Sequence, residues 1–366
     1  VKLVLSEEQQ ELRGAVRAFL RAASPLPKVR EGFDPQVYAR LNGELGLSGL
    51  IVPEEYAGAG AGMTELAVVL EETGAALLPG PFLTTAFATV ALTRVRDKEL
   101  LTGIAEGRVL AALGGPLTGP LTGPLTGPLT GPLTGPLTGP GAAAGLTCDG
   151  SAVRGTLAQV LSGMEAGVLV APARSGDGAV LVAVDLTGPG VSRTALETLD
   201  PTRGQARVEL NGAPARVLGP RPDIGDLLCV ALAAEQLGVM RAALDAIVAY
   251  AKVRVAFGRY IGSYQGVKHK LADMHAKLEQ AESIVRYAAW SADESPDDLP
   301  EAAALAQAYV GRACFEVARD HLLLHGGIGY TWEHDAHLFY KRAKADEVLM
   351  GPPRVHRARL ATLLEL

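Results

Sequence analysis

Apolar positions in the first hundred residues recur at helical spacing. Leu12, Val16, Phe19 and Leu20 follow Ser6, and Gln9 stands three residues beyond that serine. This predicts a helix over 6–24 opened by a capping box. A second helix is predicted over 36–46, ending at Gly46. An apolar stretch broken by Pro53 and a glycine-rich loop follows, to Gly62. Leu66, Val69, Leu70 and Thr73 resume the helical period over 63–76, and 82–94 continues it. Between 145 and 218 the pattern changes to short β-branched runs, 167–171, 179–184 and 206–210, separated by Gly, Asp and Pro turns. After Pro222 long helical periods return over 226–256, 266–292 and 299–324. A shorter helix is predicted within 335–348 and a terminal one after Pro353. The order is helical, then β, then helical.

Residues 116–139 break every period. They are six consecutive copies of Pro-Leu-Thr-Gly. Proline every fourth residue removes a backbone donor, and glycine every fourth residue adds chain entropy, so the segment reads as a flexible or serially turned linker. A four-residue period is too short for a solenoid unit.

Length and composition narrow the function. The chain has 366 residues and 48% hydrophobic content, enough for two or three domains with a large core. A formal net charge of −6 without a basic run argues against nucleic acid and against a polybasic membrane anchor. Cys148, Cys229 and Cys314 are odd in number and far apart, which fits a reducing compartment better than a disulfide framework. No HExxH or paired CxxC is present, so no metal is expected; His334 and His337 share an i, i+3 spacing, but surface histidines explain that more simply. With no apolar run of 18 residues, the expectation is a soluble cytoplasmic protein.

Two segments carry candidate chemistry. In Arg254-Val-Ala-Phe257-Gly258-Arg-Tyr-Ile-Gly262-Ser-Tyr-Gln265, a guanidinium suits a diphosphate and an aromatic suits an adenine or ribose face. The two glycines mark a chain reversal, and Gln265 opens a helix whose N-terminus favours an anion. An αα-hairpin with a solvated Arg and a core Phe accounts for the same residues. In His325-Gly326-Gly327-Ile-Gly-Tyr330, glycines permit close backbone approach to a ligand but equally end helices.

Together these segments resemble the acyl-CoA dehydrogenase family. Glu44-Leu-Gly-Leu-Ser-Gly-Leu-Ile-Val-Pro-Glu-Glu-Tyr-Ala-Gly-Ala-Gly60 is similar to its N-terminal signature, and Arg254 to Gln265 with Lys268 to Met274 to its C-terminal one. His325 to His334 is similar to a third, in the right order. The resemblance implies a helical N-terminal domain (1–107), a central β-barrel-like domain (108–220) and a C-terminal four-helix-bundle domain (221–366), hence a mainly α chain with a β middle. It implies FAD, an acyl-CoA substrate and an electron-transfer flavoprotein as acceptor. Arg254, Phe257 and Gln265 would reach the FAD of a neighbouring subunit, with His325, Gly326 and Gly327 in the same pocket. The family commonly carries a Gln where this chain has Leu323. The expected reaction removes the α-proton with a carboxylate and the β-hydrogen as hydride to the flavin.

The departures are as telling. One base register of the family, nine residues after Arg342, holds Gly351; the other, 26 residues before Arg254, holds Leu228. Glu235 and Glu347 are the nearest acids and become bases only if that register shifts. The family's loop after its first strand is replaced by Gly114-Gly115-Pro116 and the repeat, and Gln159 stands where an aromatic would flank the flavin ring. Missing stacking contacts, at about 1–3 kcal/mol each, weaken the hold on the ring. A subunit without its own base follows, paired with a homologous base-bearing subunit in an α2β2 heterotetramer of the kind actinobacteria use on steroid side chains. A self-sufficient homotetramer with a relocated base, and a non-catalytic acyl-CoA-binding scaffold, are the rival readings.

Overall fold

The computed structural model describes residues 3–115, 145–176 and 178–366, so the repeat of 116–139 lies outside the described residues. Ser6 accepts from the Gln9 N–H while Gln9 reaches back to the Ser6 N–H, closing the predicted capping box of α1 (Glu7–Ala23). Then come α2 (Leu26–Val29), α3 (Pro35–Leu45), α4 (Met63–Ala75), α5 (Phe82–Val95) and α6 (Lys98–Ala105). Gly46 ends α3 in the left-handed region at φ 65°. The short helices α2 and α6 carry too few periodic positions to be read from sequence.

Strands follow as β1 (Ala111–Leu113), β2 (Leu146–Asp149), β3 (Ala152–Leu161), β4 (Val168–Ser175), β5 (Gly178–Asp185), β6 (Val191–Ala195) and β7 (Gln205–Pro220). Pairing runs β4–β2–β3–β7–β5 and returns from β5 to β4, which closes a barrel, with β1 on β4 and β6 on β7 outside the ring. The barrel has its own core, including Val153, Val160, Leu169, Val182 and Val208. β1 and β2 both pair parallel to β4, β1 ending opposite Val170 and β2 beginning opposite Ala173. The chain therefore leaves and rejoins the barrel about 10 Å apart along one strand edge.

The C-terminal part comprises α7 (Gly225–Val253), the two-residue strands β8 (Val255–Ala256) and β9 (Arg259–Tyr260), α8 (Gln265–Glu294), α9 (Leu299–Leu324), α10 (Ala336–Leu349) and α11 (Pro353–Leu363). Among the described residues, α7 is the one helix long and apolar enough to cross a membrane, yet 89% of its apolar window is buried inside the fold. It is the central helix of the bundle, and its core is continuous with that of α1 and α3–α5.

Two glycines let α4 and α7 touch backbone to backbone. A Cβ on Gly238 would sit 1.8 Å from the Glu71 carbonyl, and one on Gly74 would sit 2.1 Å from the Glu235 carbonyl. Charge reinforces the seam. The buried Glu71 accepts from Arg241 Nε at 2.9 Å and from Arg286, joining α4 to α7 and α8. Asp293 of α8 accepts from the Met63 and Thr64 N–H groups, capping the start of α4 from across the interface.

Candidate cofactor and subunit-contact site

α7 ends where Arg254 turns extended, at φ −73° and ψ 123°. The Arg254 carbonyl accepts from the Ile261 N–H at 2.8 Å, and β8 pairs with β9 in a tight hairpin. The residues at its tip, Phe257 and Gly258, have φ of 51° and 81°. Two left-handed residues make a type I′ turn, for which Asn-Gly is the favoured pair. A phenylalanine in that conformation is strained by its own Cβ. Phe257 is also 98% exposed, so the core position allowed for it in sequence is not where it sits.

Arg254 and Gln265 are exposed on the same stretch. Gln265 is the first residue of the 30-residue helix α8; its N-cap, Tyr264, makes no side-chain cap bond, and no acid stands in the first turn. The first N–H groups of α8 are thus free for an anion, with the helix dipole favouring one. The hairpin base is braced by the Tyr264 hydroxyl donating to the Ala256 carbonyl at 2.9 Å and by Arg259 over the Tyr264 ring at 3.8 Å. Gly262 is required there, since a Cβ would meet the Ala251 carbonyl oxygen at 2.8 Å.

The second segment lies beside the first. Tyr250, four residues before Arg254, packs on His325, the rings tilted and their centroids 4.5 Å apart. His325 is buried at the end of α9, and Gly326 follows at φ 67°. A Cβ on Gly326 or Gly327 would meet nothing within 4 Å, so the turn is open to a neighbour. His334 is not on a helix face with His337. It precedes α10, accepts from the Ala336 N–H at 3.1 Å, and packs on His325 at 4.4 Å. His337 lies on α10 edge-on to Trp332. No cluster of three metal-ligating groups occurs among the described residues. The roles of Tyr250 and of the buried His321, 4.6 Å from His325, carried no signal in the sequence.

The candidate acids are otherwise engaged. Glu235 is buried and accepts from Arg203 Nη2 at 2.5 Å and Arg342 Nη1 at 3.2 Å. Arg342 also donates to Asp200 at 2.5 Å and to the Thr202 hydroxyl at 2.6 Å, and Arg203 pairs with Asp346. This cluster bolts the 198–204 loop to α7 and α10. Burial pushes the Asp346 carboxyl up to about 7 against the pull of Arg203, because three buried carboxylates face two guanidiniums. Burial opposes the ionised form of Asp200 as well, but Arg342 and Arg203 hold it below its usual range. Glu347 is buried and accepts from Lys344 at 2.6 Å and Arg312 at 3.4 Å.

Neither residue at the two positions where the resemblance expects a base is an acid. Leu228 is fully buried in the bundle core, and Gly351 has φ 100°, a conformation that suits glycine and strains any side chain. Gln159 lies half-buried in an irregularity of β3, where the register with β7 slips between Leu157 and Val160. Ala158 and Gln159 there oppose Arg207 alone, so the strand carries a bulge that re-aims its side chains.

Comparison with known proteins places this geometry. The N-terminal domain model of acyl-CoA dehydrogenases matches residues 6–97, and the C-terminal domain model matches 229–364. The chain is 33% identical over 362 residues to the acyl-CoA dehydrogenase IpdE2 of Mycolicibacterium smegmatis, covering 97% of this chain and 98% of that one. The chain belongs to the acyl-CoA dehydrogenase family. That makes it a member of a family of flavin-dependent oxidoreductases. FadE34 of Mycobacterium tuberculosis is 36% identical over 93% of this chain, but the match spans only 45% of FadE34. Among solved structures, a single-residue variant of the Tcur3481–Tcur3483 steroid ACAD superposes with a TM-score of 0.84 at 30% identity, covering 98% of each chain. The ChsE4–ChsE5 complex from Mycobacterium tuberculosis superposes at 0.85 and 27% identity, covering 100% of this chain and 99% of that one.

Proposed function

We propose that this chain is the base-lacking subunit of a heteromeric, FAD-dependent acyl-CoA dehydrogenase acting on a bulky, steroid-type acyl-CoA thioester. The observation that carries the reading is Phe257, 98% exposed and held at φ 51° on a braced hairpin. A large aromatic displayed in a strained turn is accounted for by a surface that covers it in the assembly. Two of the solved neighbours are themselves named as pairs of different chains, one of them a steroid enzyme. FadE34, with more than half its length unmatched, leaves room for a second such unit in one chain.

The residues present fit the diphosphate and adenosine end of FAD. Arg254 and the uncapped N-terminus of α8 supply positive charge, Gln265 an amide, Phe257 an aromatic face, and Gly326–Gly327 an open backbone. The bound flavin would supply the acceptance of hydride from the β-carbon. Arg254 would neutralise the diphosphate, Phe257 would shield the adenosine from water, and the glycine turn would help exclude solvent. The α-proton passes to a carboxylate of the partner subunit, because Leu228 and Gly351 offer none here. An electron-transfer flavoprotein would be the electron acceptor.

Arg254→Gln in the assembled enzyme tests the cross-subunit contact. FAD retained through gel filtration should fall at least about tenfold, as expected for loss of a charge-assisted bond worth about 1.4 kcal/mol or more. Unchanged FAD content with an intact assembly overturns the assignment.

A further inference from the structure

His325 is the hub of a stack of tilted rings, with Tyr250, His321 and His334 each packed on it. His325 lies 4.6 Å from His321 and 4.4 Å from His334, ring centroid to centroid, with Tyr250 at 4.5 Å. Their hydrogen bonds fix the tautomers. His321 Nδ1–H donates to the Ala243 carbonyl at 2.5 Å, and His325 Nδ1–H donates to the His321 carbonyl at 2.8 Å. His334 instead accepts at Nδ1 from the Ala336 N–H. His321 Nε2 is buried without a partner, so a proton there would be an unsatisfied donor. A proton on His334 Nδ1 would break its bond to Ala336.

Among the described residues, no acid is paired with any ring of the stack. Tyr250 faces the stack from α7, and Phe339 faces His321 from α10 at 5.5 Å. His337 of α10 stands near Lys341 and Arg30, both cationic. Of the acids next to these rings, Glu333 is exposed to solvent and the other two are engaged. Asp335 is paired with Arg30, and Asp320 with Lys270 of α8 and with Arg319. Burial lowers the basicity of His321, and of His325, with the adjacent rings acting in the same direction.

The stack holds one specific segment. Residues 326–335 are fastened to α7 through His325, His334 and Tyr250, and at the far end by Arg30, which donates to the Trp332 carbonyl at 2.6 Å and to Asp335. Between the two fasteners stand the glycine turn and the exposed Tyr330 and Trp332. We propose that the His321–His325–His334 stack is an acid-operated latch: neutral, it holds residues 326–335 against α7, and a proton on it frees that segment while the Arg30 clasp keeps its far end. The consequence for FAD rests on the function proposed above, since the freed segment includes the glycine turn.

Hydrogen exchange on the full chain tests the latch directly. Between about pH 7.5 and about pH 5, after correction for intrinsic exchange, protection of residues 326–336 should fall at least about tenfold while the middle of α9 stays protected. His325→Phe keeps a ring but cannot take a proton, and His334→Gln keeps an acceptor for the Ala336 N–H; each should weaken the acid response, and a chain carrying both together with His321→Gln should lose it. Protection that is unchanged with pH in the wild type, or an acid response that persists undiminished in all these variants, overturns the latch. FAD content of the assembled enzyme, followed over the same range, separates the two ideas. If the segment opens and FAD stays, the latch stands and the cofactor role of the glycine turn falls.

Discussion

Phe257 is the residue at which stability and assembly pull apart. A type I′ turn favours Asn-Gly, so Phe257→Asn should stabilise the isolated chain, by up to about 1 kcal/mol. The same change removes the displayed ring, so retention of FAD and partner in the assembled enzyme should fall. Thermal unfolding of the chain alone and gel filtration of the assembly check the two halves; a variant that gains in both, or loses in both, contradicts the role given to Phe257. Asp346 shows how a single buried group sets a pH response. Its folded-state pKa is raised from 3.8 to about 7, so its contribution is present below pH 3.8 and is lost as pH rises through about 7. Asp346→Asn keeps an acceptor for Arg203 and removes that loss. Its stability relative to wild type should therefore be better at about pH 8 than at about pH 5. Chemical unfolding at the two pH values measures the difference. Neither effect was legible in the sequence: Phe257 was recognisable as a ligand-type aromatic, but its strained display was not, and the Asp346 cluster draws on residues 143 positions apart that no local pattern connects.

At the scale of elements, the period of apolar residues located each long helix because each buries one continuous face or, like α7, nearly all of itself. The capping box at Ser6 and the left-handed stop at Gly46 fixed ends as well. What the pattern missed was set by distant partners. Strand β6, with little buried surface, exists because it pairs with β7, and the β8–β9 hairpin occupies what the pattern read only as a chain reversal. The α4–α7 seam was likewise invisible, since Gly74 and Gly238 look like ordinary helix-weakening glycines. Contact there is backbone to backbone, so Gly238→Ala should destabilise the chain by about 3 kcal/mol, well beyond the change expected from helix propensity, which has the opposite sign. An unchanged or raised melting temperature would refute the seam. The repeat should behave oppositely. Because the chain leaves and rejoins β4 about 10 Å apart, trimming 116–139 to two repeats should shift stability by less than about 1 kcal/mol, loop closure depending only weakly on length. A loss larger than that would mean the repeat contributes packing of its own.

For the whole molecule, several histidines are kept neutral by burial. His321 is lowered from 6.5 to about 4, and His325, His337 and His356 are lowered too. Such groups contribute stability fully above pH 6.5, and it is lost as pH falls; His321 alone accounts for about 3 kcal/mol between pH 6.5 and about 4. Asp346 acts in the opposite sense over the same span, its contribution being lost as pH rises from 3.8 through about 7, so it partly offsets the histidines in the wild type. Asp346→Asn, which lacks that offset, should show a steep fall of melting temperature in acid. A flat acid limb in that variant would contradict the burial of these rings. In the role proposed above the site is shared, Arg254, Phe257 and Gln265 serving a cofactor across an interface and a partner subunit supplying the base. The most direct test is to purify the chain alone and with a homologous base-bearing chain, and to count FAD per chain and acyl-CoA-dependent reduction of the flavin. The chain alone should carry little FAD and show no activity, and the co-purified complex should carry FAD and be active. A yellow, active assembly of this chain by itself would contradict it.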